Sequence, residues 1–320
     1  MGWRGIVRSA IAASRAAERE AHRRQKQALR QEMSDASANA VSEWEDYLDK
    51  LGSLHHVSGT QINWWAILNS PEPTSPVRST VRSDELSRQV ERFKPSAFHF
   101  FRGGSRWLKA RLDGQVTRAL ADEERLYRKE LADHEKRRSE WADDVEMARK
   151  VVDGEPQAIK SALAEFQALS ESNLVGLAVE FAISREFIHA VVDVHTSDIV
   201  PKFRRKQLAS GRLSETKMPI AEFNERYQDY VASVAFKVAG DVFSLLPGSE
   251  VYVTCRTQMV DSSTGHLEET PVLSVRFIRE TWERLNLTSL DPSDALANFS
   301  HAMNFKRTKG FERITPLQSS

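Results

Sequence analysis

Acidic and basic side chains in the second half of the sequence occur in an order that suits metal-dependent cleavage of phosphodiesters. Asp193 and Asp198 precede the triplet Glu215-Thr216-Lys217. Some nucleases place an aspartate on one strand and Glu-X-Lys on the next, so that two carboxylates hold Mg²⁺ and the lysine helps to activate water. On this hypothesis Asp193 and Glu215 bind Mg²⁺ and Lys217 assists the attack. The two carboxylates must then converge on one ion.

The same triplet has a simpler explanation. Glu-X-Lys is short and arises easily by chance in a chain in which 28% of the residues are charged. Residues 210–214, immediately before it, include few strand formers, which favours an exposed loop ahead of the next helix. A catalytic site and a surface loop therefore both remain open for Glu215 and Lys217.

A single strand offers a candidate metal site. Between residues 187 and 196 the side chains alternate, and His189, Asp193 and His195 share one face. Imidazole and carboxylate groups bind zinc, but zinc sites usually take ligands from more than one element. Because the sequence offers no obvious further element, we favour a solvent-facing strand.

Other polar clusters are better explained by structure than by chemistry. The hairpin loop around residues 262–270 carries charges that could form an acidic recognition patch, although exposed loops commonly carry them: Asp261, His266, Glu268 and Glu269. His55-His56, near Trp64-Trp65, indicates a packed turn. Cys255 is the only cysteine and lies in an apolar run, so we expect a buried thiol and no disulfide.

A locally basic helix is predicted near the N-terminus. From Trp3 to Leu51 apolar side chains recur at steps of three and four, which indicates one amphipathic helix. Six basic residues in its middle face only Glu18 and Glu20: Arg15, Arg19, Arg23, Arg24, Lys26 and Arg30. Solvated helix faces often carry such runs. The alternative is contact with an anionic lipid surface or, through Arg15, Arg19, Arg23 and Arg24, with a nucleic-acid backbone.

The elements that would position these residues fall into four segments. We predict a basic amphipathic helical segment at 1–68, a Pro/Ser-rich linker at 69–80, a long charged helix within 81–154 and an α+β domain at 155–320. The linker contains Pro71, Pro73 and Pro76, which cannot continue a helix because proline lacks the amide donor.

The long helix is predicted over residues 105–152. A heptad-like seam runs through Tyr127, Leu131, Trp141 and Val145, but Arg138 interrupts it. The seam needs a covering surface, which could be another protein, a second copy of this chain or the first helical segment. We therefore expect a coiled-coil-like region rather than a long regular two-stranded coil.

The C-terminal segment predicts an α+β fold. Alternating strands at 187–196, with a partner at 174–183, are followed by a helix from Pro219 to Leu245. Strands at 251–259 and 273–277 follow, and Asp291-Pro292 opens a second helix through Met303. The whole chain is thus predicted to be a long charged helical region followed by a small, mostly antiparallel sheet covered by helices.

Part of this segment resembles a stretch of Mrr-type restriction-related proteins of bacteria. The resemblance rests on turn and core residues within about residues 245–300: Thr264-Gly265-His266, Pro271-Val272-Leu273-Ser274-Val275, Trp282, Leu285 and Leu290-Asp291-Pro292. The chain as a whole is also similar to uncharacterised bacterial proteins. The resemblance implies a bacterial origin and a setting near restriction or phage defence, and under it the nuclease alternative is of the restriction type.

Composition narrows the function classes. Lys plus Arg equals Asp plus Glu at 45 each, so any interaction with nucleic acid or a membrane surface must come from a local patch. The sequence has no apolar run of membrane-spanning length, and Arg4 and Arg8 are not followed by the apolar core of a secretory signal. We expect a cytoplasmic protein without a cofactor, apart from the Mg²⁺ of the nuclease alternative. The leading prediction is a non-enzymatic interaction or assembly protein, with a protein partner or a second copy bound through the helical region.

Overall fold

The chain has a mixed α+β structure. The computed structural model describes residues 3–56, 61–92, 104–169, 176, 178–184, 187–261 and 263–318, without the side chains of 3–18, 104–106 and 166–169. The contacts divide the chain into two compact units. We call residues 1–62 with 154–320 the α/β unit, and residues 63–153 the helical unit.

Helices of very different length occur in both units. The described residues form eight α-helices: α1 (Trp3–Gly52), α2 (Trp64–Leu68), α3 (Val81–Arg92), α4 (Gly104–Val152), α5 (Pro156–Leu169), α6 (Ile220–Leu245), α7 (Arg279–Trp282) and α8 (Pro292–Ala295). Helices α1 and α4 coincide closely with the predictions for residues 3–51 and 105–152. Among the described helices, none combines the length and the apolar character needed to cross a membrane.

In the helical unit, α4 is covered by residues that precede it in the chain. Glu123 of α4 caps α3, because its Oε1 accepts the backbone N–H groups of Arg82 and Ser83 at 2.9 and 3.1 Å. Three side chains along the seam side of α4 bind the first residues of the predicted linker at 2.6–3.0 Å: the seam residue Trp141 contacts Ser70, the interrupting Arg138 contacts Glu72, and His134 contacts Pro73. Part of the covering surface that the seam needs is therefore supplied by this chain.

The α/β unit is built on a six-stranded sheet. The strands are β1 (Ala178–Ile183), β2 (Ile188–Asp193), β3 (Phe203–Gln207), β4 (Leu213–Lys217), β5 (Glu250–Val260), β6 (Leu267–Ile278), β7 (Ser300–Lys306) and β8 (Gly310–Glu312). The large sheet has the order β1-β2-β5-β6-β7-β8, with β2 and β5 parallel and the other neighbours antiparallel. Strands β3 and β4 form a separate antiparallel hairpin.

Helix α6 covers one face of the large sheet. Its apolar side is buried, and Phe236 at its centre stacks on Trp282 and meets Phe277 edge-on, with ring centroids 5.5 and 5.0 Å apart. The alternating pattern of β2 is as predicted, because Ile188, Ala190 and Val192 are buried while the residues between them are half-buried. Burial of these side chains is the main stabilising contribution to the unit.

The C-terminal half of α1 belongs to the α/β unit, where it contacts α6, β3 and β4. Leu48 and Leu51 are buried, and Tyr47 Oη donates to the carbonyl oxygen of Ile199 at 2.8 Å. The sequence predicts residues 1–68 and 155–320 as separate segments. In the structure, most residues of both segments belong to the α/β unit, because α1 contacts elements more than a hundred residues later in the chain. These elements cover the apolar C-terminal end of α1.

Two local predictions differ from the structure. The helix expected from Asp291 to Met303 is only α8, after which Phe299 adopts an extended backbone and β7 pairs with β6. The loop expected around Glu215 and Lys217 is instead strand β4, which pairs with β3. Strand β4 is mostly polar and pairs with the adjacent β3, and β7 pairs with β6 beyond α7 and α8, so local propensity did not indicate either strand.

Candidate nucleic-acid interface

The residues of the predicted nuclease site lie in different sheets. Asp193 ends β2 in the large sheet, and its carboxylate accepts from Arg256, with Nη2 to Oδ2 at 3.1 Å. Glu215 and Lys217 lie on β4 of the small sheet, where Arg205 Nε donates to Glu215 Oε1 at 2.9 Å. The carboxylate of each predicted metal ligand is therefore bound by its own arginine.

The predicted histidine cluster also has other partners. His189 Nε2 lies 2.8 Å from Thr254 Oγ1, which in turn lies 2.9 Å from Ser274 Oγ. Burial lowers the pKa of His189, which favours the neutral ring at the end of this chain of hydrogen bonds. In the part of the chain that the structure describes, no three His, Cys, Asp or Glu side chains are placed to hold one metal ion.

The remaining polar clusters take part in local structure. His55 is buried in the α/β unit with Nδ1 2.9 Å from Ser233 Oγ, and burial lowers its pKa to about 4. Asp261 accepts from the backbone N–H of Ser263 at 2.7 Å within the β5–β6 turn, and the Ser263 hydrogen bonds lower its pKa. Glu268 is paired with Arg313 at 2.8 Å.

A cationic surface emerges where α1 meets the β3–β4 hairpin. The hairpin lies along α1: the segment before β3 meets Tyr47, while Gln207 Nε2 at the far end of β3 donates to the carbonyl oxygen of Ser34 at 2.6 Å. The tip of the hairpin therefore points toward the N-terminus of α1. Ser34 lies a single turn of helix after Arg30.

The tip itself is a tight turn held against α1. Leu208 N–H donates to the carbonyl oxygen of Arg212, and Gly211 N–H donates to that of Leu208, both at 2.9 Å. Gly211 has φ +78°, a conformation that favours glycine, and a Cβ at this position would lie 3.0 Å from Ser34 Cβ. The close approach fixes the tip on the helix.

One face of α1 changes at Ser34 from buried side chains to exposed cations. From Ser34 to Leu51, steps of three and four follow the side that packs on the α/β unit: Ser34, Ser37, Val41, Trp44, Leu48 and Leu51, all half-buried or buried. The same steps continue toward the N-terminus as exposed cations: Arg30, Lys26, Arg23 and Arg19. This cationic stripe is about 16 Å long at 1.5 Å per residue.

The acidic side chains lie off the stripe. Glu20 is paired with Arg24 at 2.6 Å, and Asp35 accepts from Gln31 at 2.9 Å. Arg24, predicted as a nucleic-acid contact, is therefore in an ion pair beside the stripe. Arg15 lies one turn before Arg19, but its side chain is outside the described residues.

The hairpin, whose tip packs on Ser34 one turn after Arg30, carries two more exposed cations. Lys206 precedes the tip and Arg212 lies within it, and both are exposed. Within the described ranges, Lys206, Arg212 and the four stripe residues all lack an ion-pair partner. We call these six residues the cationic surface: Arg19, Arg23, Lys26, Arg30, Lys206 and Arg212. The helical part was visible in the sequence. The hairpin part was missed, although Lys202, Arg204 and Lys206 alternate as strand residues do.

No protein-family model, no curated protein and no solved structure matches the chain. The cationic surface is therefore interpreted from its own geometry and charge.

Proposed function

We propose that the α/β unit binds nucleic acid, and that the cationic surface contacts the phosphate backbone. The observation that carries this proposal is that one face of α1 changes from buried to cationic along the helix. The face that packs on the domain between Ser34 and Leu51 continues as four exposed cations without an ion-pair partner in the described residues. A partner for that part of the helix would be anionic, because an anion relieves the repulsion between like charges at successive turns.

A polyanion with regularly spaced charges fits this stripe. The four side chains project from one side of a helix over about 16 Å, and duplex DNA carries a charge every 1.7 Å of its axis. Each phosphate neutralised by Lys or Arg releases bound counterions, which drives binding at low salt. An anionic membrane is a poorer fit, since a surface-bound helix needs a broad apolar face, and Leu29 and Met33 are the exposed large apolar residues on the described side chains of α1.

The proposed role involves binding and no catalytic step. It develops the interaction function and the nucleic-acid alternative predicted from sequence. It also agrees with the bacterial, restriction-related setting that the Mrr resemblance implies, which we retain as part of the proposal. The protein would act on nucleic acid in the cytoplasm of a bacterium, together with any partner that the helical unit recruits.

Self-association or protein binding through the helical unit is a second proposal. Leu120 and Leu131 lie on one side of α4 and are 42% and 38% exposed. A double Ser variant at these positions should lower the mass seen by light scattering if they form the contact. An unchanged mass, together with unchanged retention of proteins bound from the native cell, would contradict this second proposal.

The nucleic-acid proposal is tested by fluorescence anisotropy with a labelled 25-base-pair duplex at low salt. The stripe variant changes Arg19, Arg23, Lys26 and Arg30 together to Gln. The control variant changes four exposed residues of α4 to Gln and has the same net charge: Arg118, Arg125, Lys129 and Arg137. We expect the stripe variant to bind at least tenfold more weakly and the control to bind within about twofold of the unchanged protein.

Two outcomes would overturn the proposal. One is equal loss of binding in both variants, which would show that the net charge of the protein, and not the position of the stripe, determines the affinity. The other is stripe-dependent capture of an acidic protein with no duplex binding, which would make the partner a protein.

A further inference from the structure

The part of α1 that carries the cationic stripe is exposed on every side. Each residue from Arg19 to Met33 is exposed, and these fifteen residues extend over about 22 Å of helix. Burial begins at Ser34, and Ser37 and Leu48 are buried where α1 packs on the α/β unit. Residues 19–33 therefore gain almost no stability from burial, and their helix depends on local interactions.

The local interactions within residues 19–33 oppose one another. The residue types favour a helix, because the stretch contains neither Gly nor Pro and is rich in Arg, Gln, Glu and Ala. Like charges at a separation of three or four residues destabilise a helix, and the stripe contains three such pairs in succession: Arg19 with Arg23, Arg23 with Lys26, and Lys26 with Arg30. Within these described residues a single ion pair, between Glu20 and Arg24, offsets the repulsion.

The packed half of α1 supplies a nucleus from which the exposed half can extend. Nucleation is the costly step of helix formation, whereas each further residue changes the free energy only slightly. A small change in side-chain interactions therefore has a large effect when it acts along all of residues 19–33. An anion bound along the stripe relieves the repulsion within all three pairs and leaves the favourable residue types in place.

We infer that residues 19–33 form a stable helix only when an anionic partner neutralises the stripe, so that nucleic-acid binding and helix formation are coupled. This inference rests on the proposed function and adds how the site responds to its ligand. The stretch is frayed in the free protein, and the helix described for α1 is the form that binds. Part of the binding free energy orders the segment, so the affinity is lower than that of a rigid helix with the same charges.

Backbone hydrogen exchange followed by mass spectrometry measures helix formation at residues 19–33. The full chain is compared alone and with a saturating 25-base-pair duplex at low salt. The stripe variant, with Gln at residues 19, 23, 26 and 30, lacks the repulsion but keeps a similar helix propensity, because Arg, Lys and Gln rank close together. The α4 control variant has the same net charge as the stripe variant and an unchanged stripe.

In the free protein we expect residues 19–33 to exchange within about tenfold of the rate of an unfolded chain, and the duplex to slow this exchange by about tenfold or more. The free stripe variant should exchange more slowly than the free unchanged protein, and the duplex should not slow it further. The control variant should behave as the unchanged protein does. Far-UV circular dichroism, corrected for the duplex, should show a gain of helix on binding.

The failures of the two proposals are distinguishable. Equal protection of residues 19–33 in the free protein and in the complex overturns the coupling and leaves backbone binding in place. Equal exchange in the free unchanged protein and the free stripe variant also overturns it, because repulsion would then not be the cause. Slower exchange without a gain of helix shows that the duplex only shields the amides, which is again a contradiction. Absence of duplex binding by the unchanged protein in anisotropy overturns the proposed function and the coupling together.

Discussion

Arg256 is the residue around which three carboxylates of the large sheet gather. Its guanidinium binds Asp193 and lies 3.4 Å from Glu180 and 3.5 Å from Glu269. The hydrogen bonds that Arg256 donates to Asp193 are the main reason why the pKa of Arg256 is raised. An arginine shared by three acids from three strands ties those strands together, and it gives Asp193 a partner other than a metal ion.

Cys255, the neighbour of Arg256, lies on the opposite face of β5 and is fully buried. Burial raises the pKa of its thiol to about 12, so the reactive thiolate is scarce at neutral pH. We predict that the folded protein reacts with a thiol reagent at least a hundredfold more slowly than the unfolded protein. Absorbance with a disulfide reagent, with and without guanidinium, measures both rates. Rapid reaction of the native chain would show that β5 opens or is exposed.

Asp229 on α6 provides a prediction about pH. Burial raises the pKa of Asp229 to about 6, although a hydrogen bond from Ser293 lowers it. An unfolded aspartate has a pKa of about 3.9, so the folded state holds the proton more tightly and its stability falls as the pH rises from about 4 to about 6.

Asp229→Asn should therefore increase the free energy of unfolding by about 1–2 kcal/mol near pH 7.5, after allowance for partial solvent screening, and by much less near pH 4.5. Urea unfolding at both pH values measures the difference. An equal effect at the two pH values would mean that the carboxylate does not titrate in this range.

At the scale of the element, the β3–β4 hairpin depends on Gly211. A residue with a Cβ is strained at φ +78°, and that Cβ would also press on Ser34. Gly265 also has a positive φ, +71°, but a Cβ there would meet no other atom. A substitution at Gly265 therefore measures the backbone strain without the steric contact.

We predict that Gly211→Ala destabilises the α/β unit by about 1–3 kcal/mol, and more than Gly265→Ala, for which backbone strain alone costs about 1 kcal/mol. Thermal unfolding of the two variants gives the comparison. Equal losses would indicate that the tip is not packed against α1 as described.

The elements that could be predicted are those with long periodic patterns. Helices α1, α4 and α6 and strands β2, β5 and β6 repeat their pattern over enough residues to be recognised in sequence. Strands β3 and β4 are mostly polar, and β7 pairs with β6 only beyond α7 and α8, so none of the three has a local pattern typical of a strand. The candidate site was predicted only in part for the same reason. The basic residues of α1 were recognised in the sequence, but the fold was needed to show that they continue the buried face of α1 and lie near the hairpin tip.

At the scale of the whole molecule, the cationic surface is a local feature. The chain has equal numbers of basic and acidic residues, so its overall charge attracts no polyanion. Salt screens such a surface over about 8–10 Å at ordinary ionic strength. Binding should therefore be strong at low salt and fall steeply as salt is added. The slope of this decrease gives the number of phosphates that the protein contacts.

The most direct measurement of the central claim is the slope of log affinity against log salt for duplex DNA. Each contact contributes about −0.9, so six cations predict a slope of about −5 for the unchanged protein. The stripe variant with Gln at residues 19, 23, 26 and 30 keeps two of the six and should have a slope of about −2. The α4 control variant should retain the steeper slope. Equal slopes for the unchanged protein and the stripe variant would contradict the claim that this face of α1 binds the nucleic-acid backbone.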